Sequence, residues 1–90
     1  MARRRREVET SEYLAMVRRL LRAAGQRVGN ADEVELAELV ELREHLEKAI
    51  SDAVAIQRVW GRSWAYIARG LGTSRQAAQQ HYGKATSERA

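Results

Sequence analysis

The stretch "SWAYIARGLGTSRQAAQQHYG" (residues 63–83) gives the clearest structural signal in this 90-residue chain. Ser63 and Ser74 each precede a run of helix-forming residues, and Gly72 lies between the two runs. A serine hydroxyl can accept a hydrogen bond from a free backbone N–H at the start of a helix. Glycine adopts the positive φ angle of a tight turn at little cost. The stretch therefore predicts two short helices, one ending before Gly72 and one capped by Ser74.

Small and apolar residues predict how these two helices pack. Ala68 falls where the helices cross, and Ala78 falls where the second helix packs back on the first. The second helix is expected to end near Tyr82, with Gly83 after it. The predicted inner face consists of Trp64, Ile67, Leu71, Ala77 and Ala78, and the core is closed by Trp60 and Tyr82. Two short helices joined by a glycine turn have the spacing of a helix-turn-helix.

The pattern "W-A-x-I-A-R-x-L-G-x-S-R-Q-A" (residues 64–77) resembles the helix-turn-helix of small bacterial DNA-binding regulators. It is similar to Cro/C1-type repressors and to the promoter-reading region of sigma factors. The whole chain also resembles, more loosely, small helix-turn-helix proteins of actinobacteria and their phages. Gly70, Thr73 and His81 depart from the family pattern. The resemblance implies a DNA-binding module, and the alternative is a helix-turn-helix that contacts only protein.

Four polar residues of the second helix are predicted to contact DNA bases. Arg75 and Gln79 are four residues apart, as are Gln76 and Gln80, and the inward alanines fix the opposite side. Arginine can pair two acceptors of guanine, and glutamine can pair a donor and an acceptor of adenine. The alternative is an ordinary solvated surface. The predicted phosphate contacts are Ser63, Ser74, Arg62, Arg69 and Thr73.

The rest of the chain also favours helices, so the predicted fold is all-α. Apolar residues at spacings of three and four predict an antiparallel helical hairpin over residues 10–60, with a long second helix. Two residues of "GNAD" (residues 29–32) have capping-box spacing to a later glutamate, so that helix has two possible N-terminal caps. They are Asp32 with Glu35, which we prefer, or Asn30 with Glu33. The helix-turn-helix module follows over 61–84. Residues 1–9 are expected to form a flexible basic arm and 85–90 a flexible tail.

The long second helix has a wide apolar stripe. Its members recur at three and four residues: Leu39, Leu42, Leu46, Ala49, Ala53, Ile56 and Trp60. Such a stripe can pack within one chain or against a second copy, and the pattern leaves both open. We expect the hairpin region to form a homodimer, because one module reads only a few base pairs.

Charge is distributed unevenly along the chain. Residues 1–28 contain eight arginines against three glutamates, and residues 29–52 contain eight acidic residues against two basic ones. Residues 53–90 are again basic, so the two ends can form a surface for a polyanion, or merely a solvated one. The arm residues Arg3, Arg4, Arg5 and Arg6 are predicted to enter a minor groove or follow phosphates, unless they serve only solubility.

Composition argues against several function classes. The chain has no cysteine, two histidines and no glycine-rich phosphate loop, so we expect neither an enzyme nor a cofactor. His45 follows Glu41 by four residues, but no third metal ligand is evident. No stretch approaches the length of a membrane span, and we expect a cytoplasmic protein of the nucleoid. The expected partner is double-stranded DNA. The alternatives are an architectural, nucleoid-coating protein and a promoter-associated protein that binds RNA polymerase or a sigma factor.

Overall fold

The structure, a computed structural model, describes the backbone of residues 2–89 and the side chains of residues 5–84. Within these residues the fold is all-α, as predicted, and contains four helices: α1 (Ala2–Gly29), α2 (Glu33–Val59), α3 (Trp64–Leu71) and α4 (Arg75–Arg89). None of the described helices is both long enough and apolar enough to cross a membrane.

The two ends of the chain differ from the prediction. Helix α1 begins at Ala2, so the expected flexible arm is wrong for residues 2–9. This segment consists largely of arginine and glutamate, which favour helix, and nothing in it interrupts the backbone. Helix α4 passes through Gly83 and ends at Arg89, so the expected tail is wrong for residues 85–89. Gly83 does not have the positive φ angle that would end the helix there.

The start of α2 confirms the preferred capping box. The backbone N–H of Val34 donates to the Asp32 carboxylate at 3.1 Å, and Glu35 accepts from the Asp32 N–H at 3.4 Å. A hydrogen bond between the side chains of Asp32 and Glu35, followed by the bond from the Val34 N–H, lowers the pKa of Asp32. These bonds satisfy backbone donors that have no partner within the helix.

The chain divides into two units, Met1–Leu42 and Arg43–Ala90. No described residue of the first unit is buried, and Tyr13, Leu14 and Leu20 are each more than half exposed. Its half-buried residues are Ala15, Val17, Ala24, Val28 and Leu39. This unit therefore has no buried core among its described residues, and the antiparallel hairpin stays a prediction.

The second unit contains the buried core of the described chain. The C-terminal part of α2 contributes Val54 and Ala55, α3 contributes Ile67 and Ala68, and α4 contributes Ala78. Helices α3 and α4 pack directly against each other. The other residues predicted for their inner face are half-buried: Trp64, Leu71, Ala77 and Tyr82. The predicted inner face of these two helices is therefore present.

Trp60 does not close this core, and that prediction is wrong. Its side chain is 77% exposed. Trp60 comes six residues after the buried Val54, which places it about 120° away around a helix of 3.6 residues per turn. It also precedes Gly61, where a φ of 86° turns the chain. The side chain therefore points away from α3 and α4.

Candidate nucleic-acid interface

The Arg58 side chain stabilises the turn between α2 and α3 through two contacts. Its Nη1 donates to the backbone carbonyl of Arg62 at 2.8 Å. Its guanidinium also lies 4.9 Å from the centre of the Trp64 ring, which is a favourable cation–π distance. One side chain therefore contacts the turn and the first residue of α3. No local pattern predicts this role, because arginine is common on helix surfaces.

The ends of α3 are fixed by the residues predicted for them. The Ser63 hydroxyl accepts from the backbone N–H of Tyr66 at 3.0 Å. Gly72 has a φ of 72°, and its N–H donates to the carbonyl of Ala68. The N–H of Thr73 donates to the same carbonyl at 3.1 Å. The chain can therefore leave α3 and start α4 with only three residues, 72–74, between the two helices.

Ser74 caps α4 in the same way that Ser63 caps α3. Its hydroxyl accepts from the backbone N–H of Ala77 at 3.1 Å. A serine hydroxyl that accepts a bond still has its own proton to donate. Both serines are exposed, so each can donate to a phosphate oxygen without giving up its cap.

The four predicted base-contact residues lie on one exposed side of α4. Arg75, Gln76, Gln79 and Gln80 are all exposed. None of their side chains has a hydrogen bond or an ion pair with another described residue. Ala78 of the same helix, by contrast, is 1% exposed. Helix α4 therefore buries Ala78 and presents one guanidinium and three amides to the outside.

Two of the predicted phosphate-contact residues flank an aromatic ring that sequence reasoning missed. Nη1 of Arg62 donates to the Tyr66 hydroxyl at 3.1 Å, and its guanidinium lies 4.9 Å from the ring centre. The guanidinium of Arg69 lies 5.8 Å from the same centre. Tyr66 and Arg69 are three residues apart within α3 and so share a helix face, a spacing that was available as a signal, whereas Arg62 comes from the turn before α3. Tyr66 thus contacts two cations, one in that turn and one on α3.

A carboxylate of α2 contacts the middle of α4. Oε1 of Glu47 accepts from the Tyr82 hydroxyl at 2.9 Å and lies 3.2 Å from Nε2 of His81. The bonds from His81 and then Tyr82 lower the pKa of Glu47. Burial, followed by the bond to Glu47, raises the pKa of Tyr82. Glu47 was not predicted, because its partners are 34 and 35 residues away.

The remaining predicted contacts lie in α1. Arg5 and Arg6 are exposed, whereas the side chains of Arg3 and Arg4 lie outside the described residues. Their contact with DNA stays a prediction. Among the described residues, no group of three or more His, Cys, Asp or Glu side chains is placed to hold a metal ion.

Comparison with known proteins adds no relative. The chain matches no protein-family model, and no curated protein or solved structure is significantly similar to it.

Proposed function

We propose that this chain is a sequence-specific DNA-binding transcriptional regulator in which α3 and α4 act as a helix-turn-helix. The main support is that Arg75, Gln76, Gln79 and Gln80 are all exposed on α4, whereas Ala78 of the same helix is buried. A helix with these side chains outward can lie in the major groove, where arginine pairs with guanine and glutamine with adenine.

The uncharged amides support readout rather than simple attraction to DNA. Three of the four residues are glutamines, which add no net charge toward phosphate. Lysine or arginine at those positions would strengthen binding to any sequence. An amide in the groove contributes mainly when its donor and acceptor match a base edge. The composition of this face therefore favours base discrimination.

Phosphate contacts come from the elements around α4. Ser63 and Ser74 can donate from two helix N-termini, where backbone dipoles also favour an anion. Thr73 is exposed beside Ser74. Arg62, in the turn before α3, and Arg69, on α3, supply cations beside Tyr66. Such contacts fix the position of a protein on the duplex, and the bases then determine which sequence it prefers.

The proposed regulator acts as a homodimer on DNA in the cytoplasm. One module of this size reads few base pairs, which is a weak basis for finding one site in a genome. A two-fold dimer doubles the readout and requires half-sites separated by about 34–36 Å, or multiples of that distance. The target site is accordingly expected to be a palindrome or close to one.

Selection of bound sites from a random DNA pool tests this function. The expected result is an enriched motif with two related halves. The control is a protein with Gln76→Ala, Gln79→Ala and Gln80→Ala together, which keeps every charge and should lose the motif. If the wild type enriches no sequence and its affinity depends steeply on salt, the chain is a nucleoid-coating protein instead.

A further inference from the structure

Helix α2 has two apolar faces, and only one of them packs within its unit. The first face includes the buried Val54 and the half-buried Ile50, which lines a cleft together with Ala77 and Tyr82 of α4. The second face is exposed along the same part of the helix. We name it the α2 seam, and it consists of Leu46, Ala49, Ala53, Ile56 and Trp60.

The exposure of the seam is large for apolar side chains. Leu46 and Ile56 are each 55% exposed, and Trp60 is the more exposed of the two tryptophans. Trp60 follows the last residue of α2, but its backbone N–H still donates to the carbonyl of Ile56 at 3.1 Å. It therefore continues the helical path of the seam. A row of exposed apolar residues of this kind marks an interaction surface.

The spacing of the seam is that of a coiled coil. Its residues follow one another at three, four, three and four positions, which matches the a and d positions of the heptad repeat. The same repeat extends in the sequence toward the N-terminus through Leu42 and Leu39. A stripe that repeats every seven residues favours pairing with another long helix along its length.

We propose that the α2 seam pairs with the α2 seam of a second copy of this chain. The order of side-chain sizes supports this partner, because Ala49 and Ala53 are flanked by the larger Leu46 and Ile56. This order of large, small, small and large is the same in both directions. Two copies therefore match large residues with large and small with small, whether the helices run parallel or antiparallel.

The charges beside the seam are compatible with the same partner. In a parallel pair, Asp52 at the g position faces Gln57 at the e position of the second copy. In an antiparallel pair that places Leu46 opposite Ile56, Asp52 instead faces Asp52 of the second copy. The charges beside the seam therefore favour the parallel pair, which brings no like charges together there. The second copy thus satisfies the apolar, steric and charge requirements of this face.

Light scattering without DNA tests the proposal. The wild type is expected to have twice the chain mass of 10.2 kDa. Ala53→Arg puts an unpaired charge into the seam and should weaken the dimer by at least about a hundredfold. The control is Ala37→Arg, because Ala37 is an exposed alanine on the opposite side of α2. Circular dichroism should show the same helix content in both variants, which separates dissociation from unfolding.

Cysteine cross-linking is the second measurement. The chain contains no cysteine, so a disulfide reports only on introduced residues. The double variant Ala49→Cys/Ala53→Cys should link two copies in either orientation, whereas Ala37→Cys should not. A wild type that stays monomeric over roughly a hundredfold range of concentration overturns the proposal. A dimer that survives Ala53→Arg also overturns it. These results are obtained without DNA, so they leave the proposed base readout to its own test.

Discussion

The Tyr82 hydroxyl of α4 donates a hydrogen bond to Oε1 of Glu47 in α2 at 2.9 Å, across 35 residues of sequence. The same oxygen lies 3.2 Å from Nε2 of His81. Glu47 is on the long helix and Tyr82 is on the helix that presents the base-contact residues. The carboxylate therefore helps to set the angle at which α4 leaves the core.

Tyr82→Phe should lower the thermal unfolding midpoint of the protein, because it removes only the hydroxyl that bonds Glu47. Tyr13→Phe is the matched control, since Tyr13 is largely exposed on α1 and should leave the midpoint unchanged. In a Glu47→Ala background, Tyr82→Phe should have a much smaller effect. Thermal denaturation of the four proteins in this cycle measures the coupling. Equal effects in both backgrounds would show that the bond does not contribute.

Stability should fall in acid partly through Glu47. Hydrogen bonds from His81 and then Tyr82 hold the pKa of this carboxyl below its ordinary value of 4.5. The contribution is therefore complete above the unfolded-state pKa and is lost as the pH falls through the lower folded-state pKa. The pKa of Asp32 is lowered too, so more than one carboxyl contributes to the loss of stability in acid. The difference in unfolding midpoint between wild type and Glu47→Gln, measured from neutral pH downward, isolates the Glu47 part and should shrink in acid.

At high pH the dependence of stability on pH has the opposite sign, so stability should fall as the pH rises. The pKa of Tyr82 lies above its ordinary value of 10.0, because burial and then the bond to Glu47 disfavour the phenolate. Its contribution is therefore present below pH 10 and is lost as the pH rises through the folded-state value. Absorbance titration should show one tyrosine that ionises later than the others. Tyr82→Phe should remove that late step, and a late step that remains in this variant would assign it to another tyrosine.

Alanine substitutions at two nearby glycines should change the stability of the protein in opposite directions. Gly72 has a φ of 72°, so Gly72→Ala should cost about 1–2 kcal/mol. Gly70 lies inside α3 without positive φ, and an added Cβ would meet nothing within 4 Å. Gly70→Ala should therefore stabilise the protein by about 0.5–1 kcal/mol. Urea unfolding of both variants measures the difference, and two changes of the same sign would contradict the assigned turn.

Local chemistry explains which parts of the fold were predictable. Gly72 and the two capping serines act on backbone groups within a few residues, so their roles follow from the sequence. Gly83 was expected to end α4, but a glycine ends a helix only when the chain turns there, and the sequence does not show that. Trp60 was placed in the core by its apolar character, although its rotation around α2 takes it away. The bond of Glu47 depends on tertiary packing and has no local signal.

A larger side chain at Ala78 should show that close packing at this position holds α4 in place. Ala78 is almost completely buried between the helices, so Ala78→Leu should destabilise the protein by about 1–3 kcal/mol. Ala65 is an exposed alanine of α3, and Ala65→Leu should change stability by less than about 0.5 kcal/mol. Chemical denaturation gives both values. Equal tolerance at the two positions would mean that α4 does not pack closely through Ala78.

The outward side of α4 was also predictable, because the positions of Ala77 and Ala78 determine which side faces outward.

The proposed role of this outward side in base readout is tested by Arg75→Ala. This change should cost about 1–3 kcal/mol on the selected DNA site and relax the preference at one base pair. Arg69→Ala should instead weaken binding to all sequences similarly and reduce the salt slope by about one, because Arg69 is assigned to phosphate. Arg22→Ala, at an exposed arginine of α1, controls for the loss of one charge. Fluorescence anisotropy on selected and scrambled duplexes at several salt concentrations measures all three. If Arg75→Ala weakens both duplexes equally, the guanidinium contacts the backbone rather than a base, and the proposed readout by α4 is wrong at this position.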